Sequence, residues 1–370
     1  MNETGDTKNR AKKTVLYRMI YEDIKGKILN HNYVDNEQLP FERELCETFD
    51  VDRVTVRKAL DLLVADGLLE KRPGLGSFVR SPISTNILSH NKSRNILFAM
   101  SNNSNDIKNN PSAFNSQLFH AIEQECRLND HSLFYTVLDE QSSLNSLVNG
   151  NSFAGMVFVS YIPKHILEQC QQMKLPAICI NNRFANMVSI VPEDERGSYE
   201  AVKYMQIQGH KRIGVMLGRK EYFSTNERQR GYNNAMLDAG FGIDPRHVME
   251  GDWTFDGARK AVFKMLDVCR PSELPTAIFC CSDMMAIGAM DALKEKDFSI
   301  PKNISIMGFD NISQSEHVYP RLTTVNVDIT LMAALAVEKI TAYSDETEGR
   351  SYLIQIPSAL EIRQSVAKIN

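Results

Sequence analysis

Residues 277–311, AIFCCSDMMAIGAMDALKEKDFSIPKNISIMGFDN, decide the fold class. An apolar run, Ala277 to Cys280, leads into a helical pattern, MMAIGAMDAL, and a second apolar run, SIMGFDN, closes the unit. Strands that are apolar on both faces belong to parallel sheets with helices packed on either side. The same texture continues outward through ILFAMS, SLFYTVL, GMVFVS, PAICINN, RIGVMLG and HVMEGD on one side and TTVNVD on the other. That is more strand than one compact sheet holds. The reading is therefore α/β with two Rossmann-like lobes, lobe 1 over about 94–191 and lobe 2 over about 192–325. The helix DITLMAALAVEKI, within 326–345, is expected to return to lobe 1, and the last run, YLIQIPSALEIR, within 350–370, to join lobe 2.

The 370 residues carry 42 Lys plus Arg against 46 Asp plus Glu, a formal net charge of −4. With 43% hydrophobic and 24% charged residues, the composition excludes collagen-like, low-complexity and largely disordered chains. The balance shows no basic footprint of a nucleic-acid partner, although an average can hide a local face. Seven cysteines without a C-x-x-C pair or a His at metal spacing read as buried free thiols of a reducing compartment, with no metal site. No segment approaches the roughly 18 apolar residues of a membrane span, and the N-terminus has no signal-peptide pattern. A cytoplasmic location with no membrane partner is expected.

Residues 1–80 have a different texture. Ile20, Ile24 and Ile28 recur at helical spacing, a short helix with Leu45 and Phe49 follows, and a tight turn at Asp50-Val51-Asp52 opens a third helix. Asp52 is positioned as its N-cap, Val56, Ala59, Leu60 and Leu63 form its buried stripe, and Gly67 is positioned to end it. LLEKRPGLGSFV then reads as a hairpin. Helix, helix, turn, helix and hairpin is the order of a winged helix-turn-helix. The third helix turns Arg53, Val54, Arg57, Lys58 and Asp61 away from its core stripe, either as a solvated charged face or as groups reaching phosphates and base edges. Over residues 1–90 the charges balance at 14 basic and 14 acidic, so the basic groups must be segregated, with acids such as Glu22, Glu47 and Asp66 kept away from the groove. SPISTNILSHNKS, 81–93, is the linker to the 94–370 unit.

Leu39-Pro40-x-Glu42-Arg43-Glu44-Leu45, Asp52-Arg53-x-Thr55-Val56-Arg57-Lys58-Ala59-Leu60, Asp66-Gly67-Leu68 and Gly74-x-Gly76-Ser77-Phe78-Val79 closely resemble the GntR-type winged helix. The resemblance implies DNA contacts by Arg43, Arg53, Thr55 and Arg57, to which the exposed face of the third helix adds Lys58, and a wing tip whose Gly74 and Gly76 approach the minor groove. Phe41, Asp52 and Leu75 depart from the family's usual Ser, Ser and basic residue.

Ligands of open parallel sheets sit beyond the strands' carboxyl ends. Those ends carry Ser101-Asn102, Ser160, Asn181-Asn182-Arg183, Asp252-Trp253, Ser282-Asp283 and Asp310-Asn311. Carboxylate and amide groups that pair with adjacent hydroxyls, beside the chain's one Trp, suit a sugar. There is no Walker loop, G-x-G-x-x-G, G-x-S-x-G or H-E-x-x-H, so neither nucleotide cofactor nor hydrolytic nucleophile is supported. Asp283 reads as a helix N-cap, Ser282 as a ligand or a second cap, and Trp253 as a ligand platform or core.

Gly209-His210-Lys211-Arg212-Ile213-Gly214, Arg228-x-x-Gly231-Tyr232, Ser282-Asp283-x-Met285-Ala286 and Gly308-Phe309-Asp310-Asn311 resemble the LacI-type, periplasmic-binding-protein-like effector domain. Joined to the winged helix, it resembles the arabinose-repressor-like subgroup of GntR regulators. That resemblance implies effector contacts at Asn181, Arg228, Trp253, Ser282 and Asp310. The expected function is a homodimeric, sugar-responsive repressor of a carbohydrate operon that binds a double-stranded operator and needs no cofactor. A transport-type sugar-binding protein and a winged-helix-fused enzyme are the rivals. The missing signal pattern and the attached winged helix disfavour the first, and the lack of a Schiff-base Lys at the strand ends disfavours the second.

Overall fold

The structure, a computed structural model, describes residues 4–29, 33, 36–72, 74–80, 93–101, 112–148, 151–173, 175–184, 186–342 and 351–369. The expected linker lies outside these residues apart from Ser93. The chain forms two compact units, 1–93 with 145–152 and 94–144 with 153–370.

In the first unit, helices α1 (Thr4–Leu29), α2 (Glu42–Phe49) and α3 (Arg53–Ala65) precede the hairpin β1 (Leu69–Arg72) and β2 (Gly76–Val79). Ile20, Ile24 and Ile28 of α1 meet Val56, Ala59, Leu60 and Leu63 of α3 in one core, closed by Leu39, Leu45 and Val79. Asp50 takes a left-handed φ of 49° to make the turn into α3. There Asp52 accepts the Thr55 N–H at 2.8 Å, satisfying one of the helix's orphan donors. At the other end Gly67 has φ 73° and the Leu68 N–H returns to the Leu63 carbonyl at 2.8 Å, a glycine-based helix stop. The hairpin pairs antiparallel from Leu69↔Val79 to Arg72↔Gly76.

In the second unit, lobe 1 contains β3 (Asn95–Ser101), α4 (Ala113–Leu128), β4 (Ser132–Leu138), β5 (Gly155–Val159), α6 (Lys164–Gln172), β6 (Ala177–Ile180) and β7 (Val188–Pro192), and the short helix α5 (Leu144–Val148) between β4 and β5 falls, beyond its first residue, in the segment 145–152 grouped with the first unit. Lobe 2 continues with α7 (Asp194–Ile207), β8 (Ile213–Leu217), α8 (Phe223–Asp238), β9 (Val248–Glu250), α9 (Phe255–Val268), β10 (Ala277–Cys280), α10 (Asp283–Glu295), β11 (Ser305–Asp310) and β12 (Thr323–Val327). The chain closes with α11 (Ile329–Thr341), β13 (Leu353–Ile356) and β14 (Ser358–Glu361). Among the described residues the sheet orders are β13-β7-β6-β5-β3-β4 and β14-β12-β11-β10-β8-β9. All ladders of these two sheets are parallel except β12 with β14. The strands read from residues 277–311 stand side by side, Ala277↔Ser305 to Phe279↔Met307.

The placement of 350–370 in lobe 2 is corrected. Leu353–Ile356 pairs with Ser189–Pro192 in the first sheet, and only Ser358–Glu361 reaches the second. Without β13, the strand β7 would be an edge with its backbone polar groups unpaired on one side. The chain therefore passes between lobes three times, each time through one residue: Glu193 between β7 and α7, Asp328 between β12 and α11, Pro357 between β13 and β14. Two of these passages touch, because the Glu193 N–H donates to the Ile356 carbonyl at 2.9 Å.

Helices α7 and α8 pack closely at Gly231, where a Cβ would lie 2.1 Å from the Glu195 carbonyl oxygen. The next residue, Tyr232, is fully buried and donates its hydroxyl to the Ile213 carbonyl at 2.7 Å. This contact fixes α8 against α7 and β8 and so determines where Arg228, one turn earlier on α8, projects.

Candidate functional site

On the first unit, α3 displays Arg53, Val54, Arg57 and Lys58 to solvent. The Arg53 Nε donates to Glu42 Oε2 at 2.6 Å, and the Arg57 Nε donates to both Glu42 oxygens at 3.0 and 3.1 Å. Burial works to raise the Glu42 carboxyl, but the two guanidiniums prevail and hold it below the usual glutamate range. Arg43, also exposed, pairs one turn along α2 with Glu47 at 3.3 Å, and Lys58 sits 4.1 Å from the centre of the Tyr17 ring. Acids are therefore interleaved with the basic groups, contrary to the segregation expected for Glu47. Thr55 is also corrected as a presented contact: it is 5% exposed, and its hydroxyl donates to Asp52 Oδ1 at 2.8 Å, completing the α3 cap. Gly74 and Gly76 turn the hairpin with φ 76° and 108°, and Leu75 between them is exposed. The Leu75 carbonyl accepts from Gln38 Nε2 at 2.5 Å.

The carboxyl ends of the two large sheets surround a cavity of about 580 Å³, a size suited to a small organic ligand. Its floor is Arg228, 2% exposed. The Nε donates to Asp194 Oδ1 at 2.8 Å, while Nη1 donates to Asp310 Oδ1 at 3.0 Å and to the Cys281 carbonyl. The guanidinium lies 3.7 Å from the centre of the Phe309 ring and 5.6 Å from that of Trp253. Burial disfavours the Arg228 charge, and the two carboxylates more than restore it. The carboxylates share this single cation. Burial pushes the Asp310 carboxyl up to about 6 against the pull of Arg228, and raises Asp194 by the same cause.

Around this floor the strands end in left-handed backbone: φ is 61° at Ser160, 58° at Asn181, 57° at Asp252, 62° at Trp253 and 112° at Asp310. Residues other than glycine rarely occupy these regions, and their clustering around one cavity is characteristic of a functional site. Ser101 Oγ, Asn181 Oδ1 and Trp253 Nε1 are buried with no hydrogen-bond partner among the described residues, and their side chains line the cavity. Together these atoms offer both donors and acceptors to whatever occupies the cavity. Tyr222 bridges the aromatic wall, its ring centre 6.0 Å from Trp253 and 6.4 Å from Tyr161.

Asn181, Arg228, Trp253, Ser282 and Asp310 all line this one cavity, as does Ser160. Two roles change. Ser282, not Asp283, caps α10, accepting the Met285 N–H at 3.2 Å while still facing the cavity. Asp283 is fully buried, accepts from the Ile312 N–H at 2.9 Å and from the Thr324 hydroxyl, and ties α10 to the strands beyond it. Gly308 makes the room, since a Cβ there would lie 2.1 Å from Asp283 Oδ1. Arg183 lines a different cavity beside Glu193 and Arg196, and Asn102 lies outside the described residues. Sequence reasoning missed Asp194, Tyr161, Tyr222 and Arg219. Arg219, which pairs with Asp252, directly follows the run RIGVMLG and was within reach of the strand-end rule. Asp194 was not, because the strand before it went unrecognised.

A helix-turn-helix that exposes arginines on its third helix, joined to a two-lobed clamp around a polar cavity, defines the class of ligand-responsive DNA-binding regulators. Comparison with known proteins agrees. Residues 16–79 match the bacterial regulatory proteins of the gntR family, and residues 202–366 match the periplasmic binding protein-like domain. The HTH-type transcriptional repressor PurR of Haemophilus influenzae (strain PittEE) is 30% identical over 265 residues, 69% of this chain and 78% of that protein. The HTH-type transcriptional repressor CytR of Escherichia coli (strain K12) is 37% identical over 158 residues, 42% of this chain and 46% of that one. Among solved structures, a LacI family transcriptional regulator from Enterococcus faecium with bound ribose has a TM-score of 0.65 at 21% identity, covering 74% of this chain and 100% of that one. A LacI family regulatory protein from Chloroflexus aggregans has a TM-score of 0.62 at 23% identity, covering 73% and 98%. The chain belongs to the HTH-type transcriptional regulators, with a GntR-type DNA-binding domain joined to a LacI-like, periplasmic-binding-protein-like effector domain. It is a regulator and not an enzyme.

Proposed function

We propose that this chain is a cytoplasmic, homodimeric repressor of a carbohydrate-use operon, released from its operator when a monosaccharide or a close derivative binds between the lobes. The observation that carries the reading is Arg228, held at the cavity floor by Asp194 and Asp310 with Trp253 alongside. A fixed guanidinium and an adjacent carboxylate pair with neighbouring hydroxyls, and an indole face covers the apolar side of a pyranose or furanose ring. Asn181 and Ser282 would complete the contacts. Arg43, Arg53, Arg57 and Lys58 would reach phosphates and base edges, and Gly74 and Gly76 would bring the wing close to the minor groove. Because the DNA-binding unit has no net basic charge, two copies on a pseudopalindromic operator would supply the affinity that one lacks.

A thermal-shift screen against a saccharide panel tests the effector claim. A true effector at 100 times its Kd adds about 2.7 kcal/mol of stability, and a panel that gives no shift refutes it. Sedimentation of the protein with operator DNA tests the dimer, which one chain per operator would contradict.

A further inference from the structure

Arg219 and Asp252 follow the adjacent parallel strands β8 and β9 and stand together on the cavity wall. Their contact is bidentate, with Nη2 to Oδ2 at 3.0 Å and Nε to Oδ1. Arg219 and Arg228 are the only cations among the described lining residues, and both are committed, Arg228 to Asp194 and Asp310 and Arg219 to Asp252. Asp252, Asp256 and Asp310 bring three carboxylates to the lining of the same cavity. Helix N-termini also face the cavity, and these attract anions. Here Thr254 and Ser282 already occupy the Gly257 and Met285 N–H groups, and Asp256 and Asp283 stand in the first turns of α9 and α10.

We propose that the Arg219–Asp252 pair is a charge filter: by holding the one cation that a ligand's anionic group would need, Asp252 restricts the cavity to uncharged polyols and refuses sugar phosphates and sugar acids. An anion entering this wall finds each guanidinium engaged and a carboxylate within reach of its charge. A neutral sugar needs no free cation, because the paired groups still accept from and donate to its hydroxyls. The inference rests on the carbohydrate reading and names the ligand's charge within it.

The test is calorimetric titration of the full chain with arabinose, ribose, xylose, glucose and galactose, each beside its monophosphate, and with glucuronate and galacturonate. The expected result is a neutral binder whose phosphate or acid binds at least about 100-fold more weakly. Asp252→Asn, in which Asn still suits the left-handed backbone, removes the negative charge paired with Arg219 and should bring the anionic partner to within about 10-fold of the neutral sugar. Arg219→Gln should not. An anion that binds the wild-type chain as tightly as its neutral parent, or an unchanged preference in Asp252→Asn, overturns the filter and leaves the carbohydrate reading standing. Failure of every compound to bind counts against both.

Discussion

Arg228 and its two carboxylates, on which the proposed effector contacts centre, are three side chains each at least nine-tenths buried. Removing one partner of such a set leaves charge without compensation. Asp310→Ala should therefore lose effector response and remain on its operator at any effector concentration, checked by operator binding across an effector titration. The Asp310 carboxyl also makes stability depend on pH. It keeps its proton to about pH 6 when folded, against about 3.9 when unfolded. The folded chain thus binds more protons between these values, so this contribution is fully present below about pH 4, falls as pH rises toward 6, and is flat above. The difference in Tm between wild type and Asp310→Asn should follow that window, and a difference that is constant from pH 4 to 7 would contradict the assignment. On the DNA-binding unit, Glu42 pairs with Arg53 and Arg57, the two groups proposed to meet phosphate, so it would compete with DNA for them. Glu42→Gln should tighten operator binding and steepen its salt dependence, whereas Arg53→Ala should abolish it without changing effector affinity.

At the level of elements, α3 shows why local signals were readable. Its start and stop depend on contacts within a few residues: Asp52 to Thr55 at one end, and Leu68 back to Leu63 at the other. Asp52→Ala should cost about 1 kcal/mol, or slightly more because Thr55 loses a second bond, measured by denaturant unfolding. The strand β7 shows the opposite case. Val188–Pro192 is short, interrupted by Ser189, and identified as a strand chiefly by its neighbours β6 and β13, which lie about 10 and 165 residues away along the chain. The arrangement of Arg228 against Asp194 depends in the same way on a distant contact, the close approach of α7 and α8 at Gly231. Gly231→Ala forces these helices apart, and overpacking of this kind costs about 1–3 kcal/mol. Effector affinity should fall with stability, since Arg228 moves off its floor position.

For the whole molecule, the number of lobes and the residues at most strand ends could be read from the chain because they follow from apolar runs and what comes after them. Pairings across the site could not. Glu42 with Arg53, Arg219 with Asp252 and Asp194 with Arg228 join residues 11, 33 and 34 positions apart, and no periodicity reports such contacts. The three one-residue passages at Glu193, Asp328 and Pro357 leave little slack between the lobes, so a rotation about them is the motion expected if the lobes close on a ligand. If that rotation controls DNA binding, linkage requires that saturating operator weaken the effector by the same factor by which the effector weakens operator binding. Unequal factors in a cross-titration would rule out a shared equilibrium. The aromatic wall makes that experiment simple. Trp253 is the only indole in the chain, and it stands in the effector cavity beside a guanidinium. Its emission therefore reports cavity occupancy without any attached label, while the DNA-binding unit contributes no indole signal of its own. A spectral change on adding operator alone would be an optical trace of the coupling.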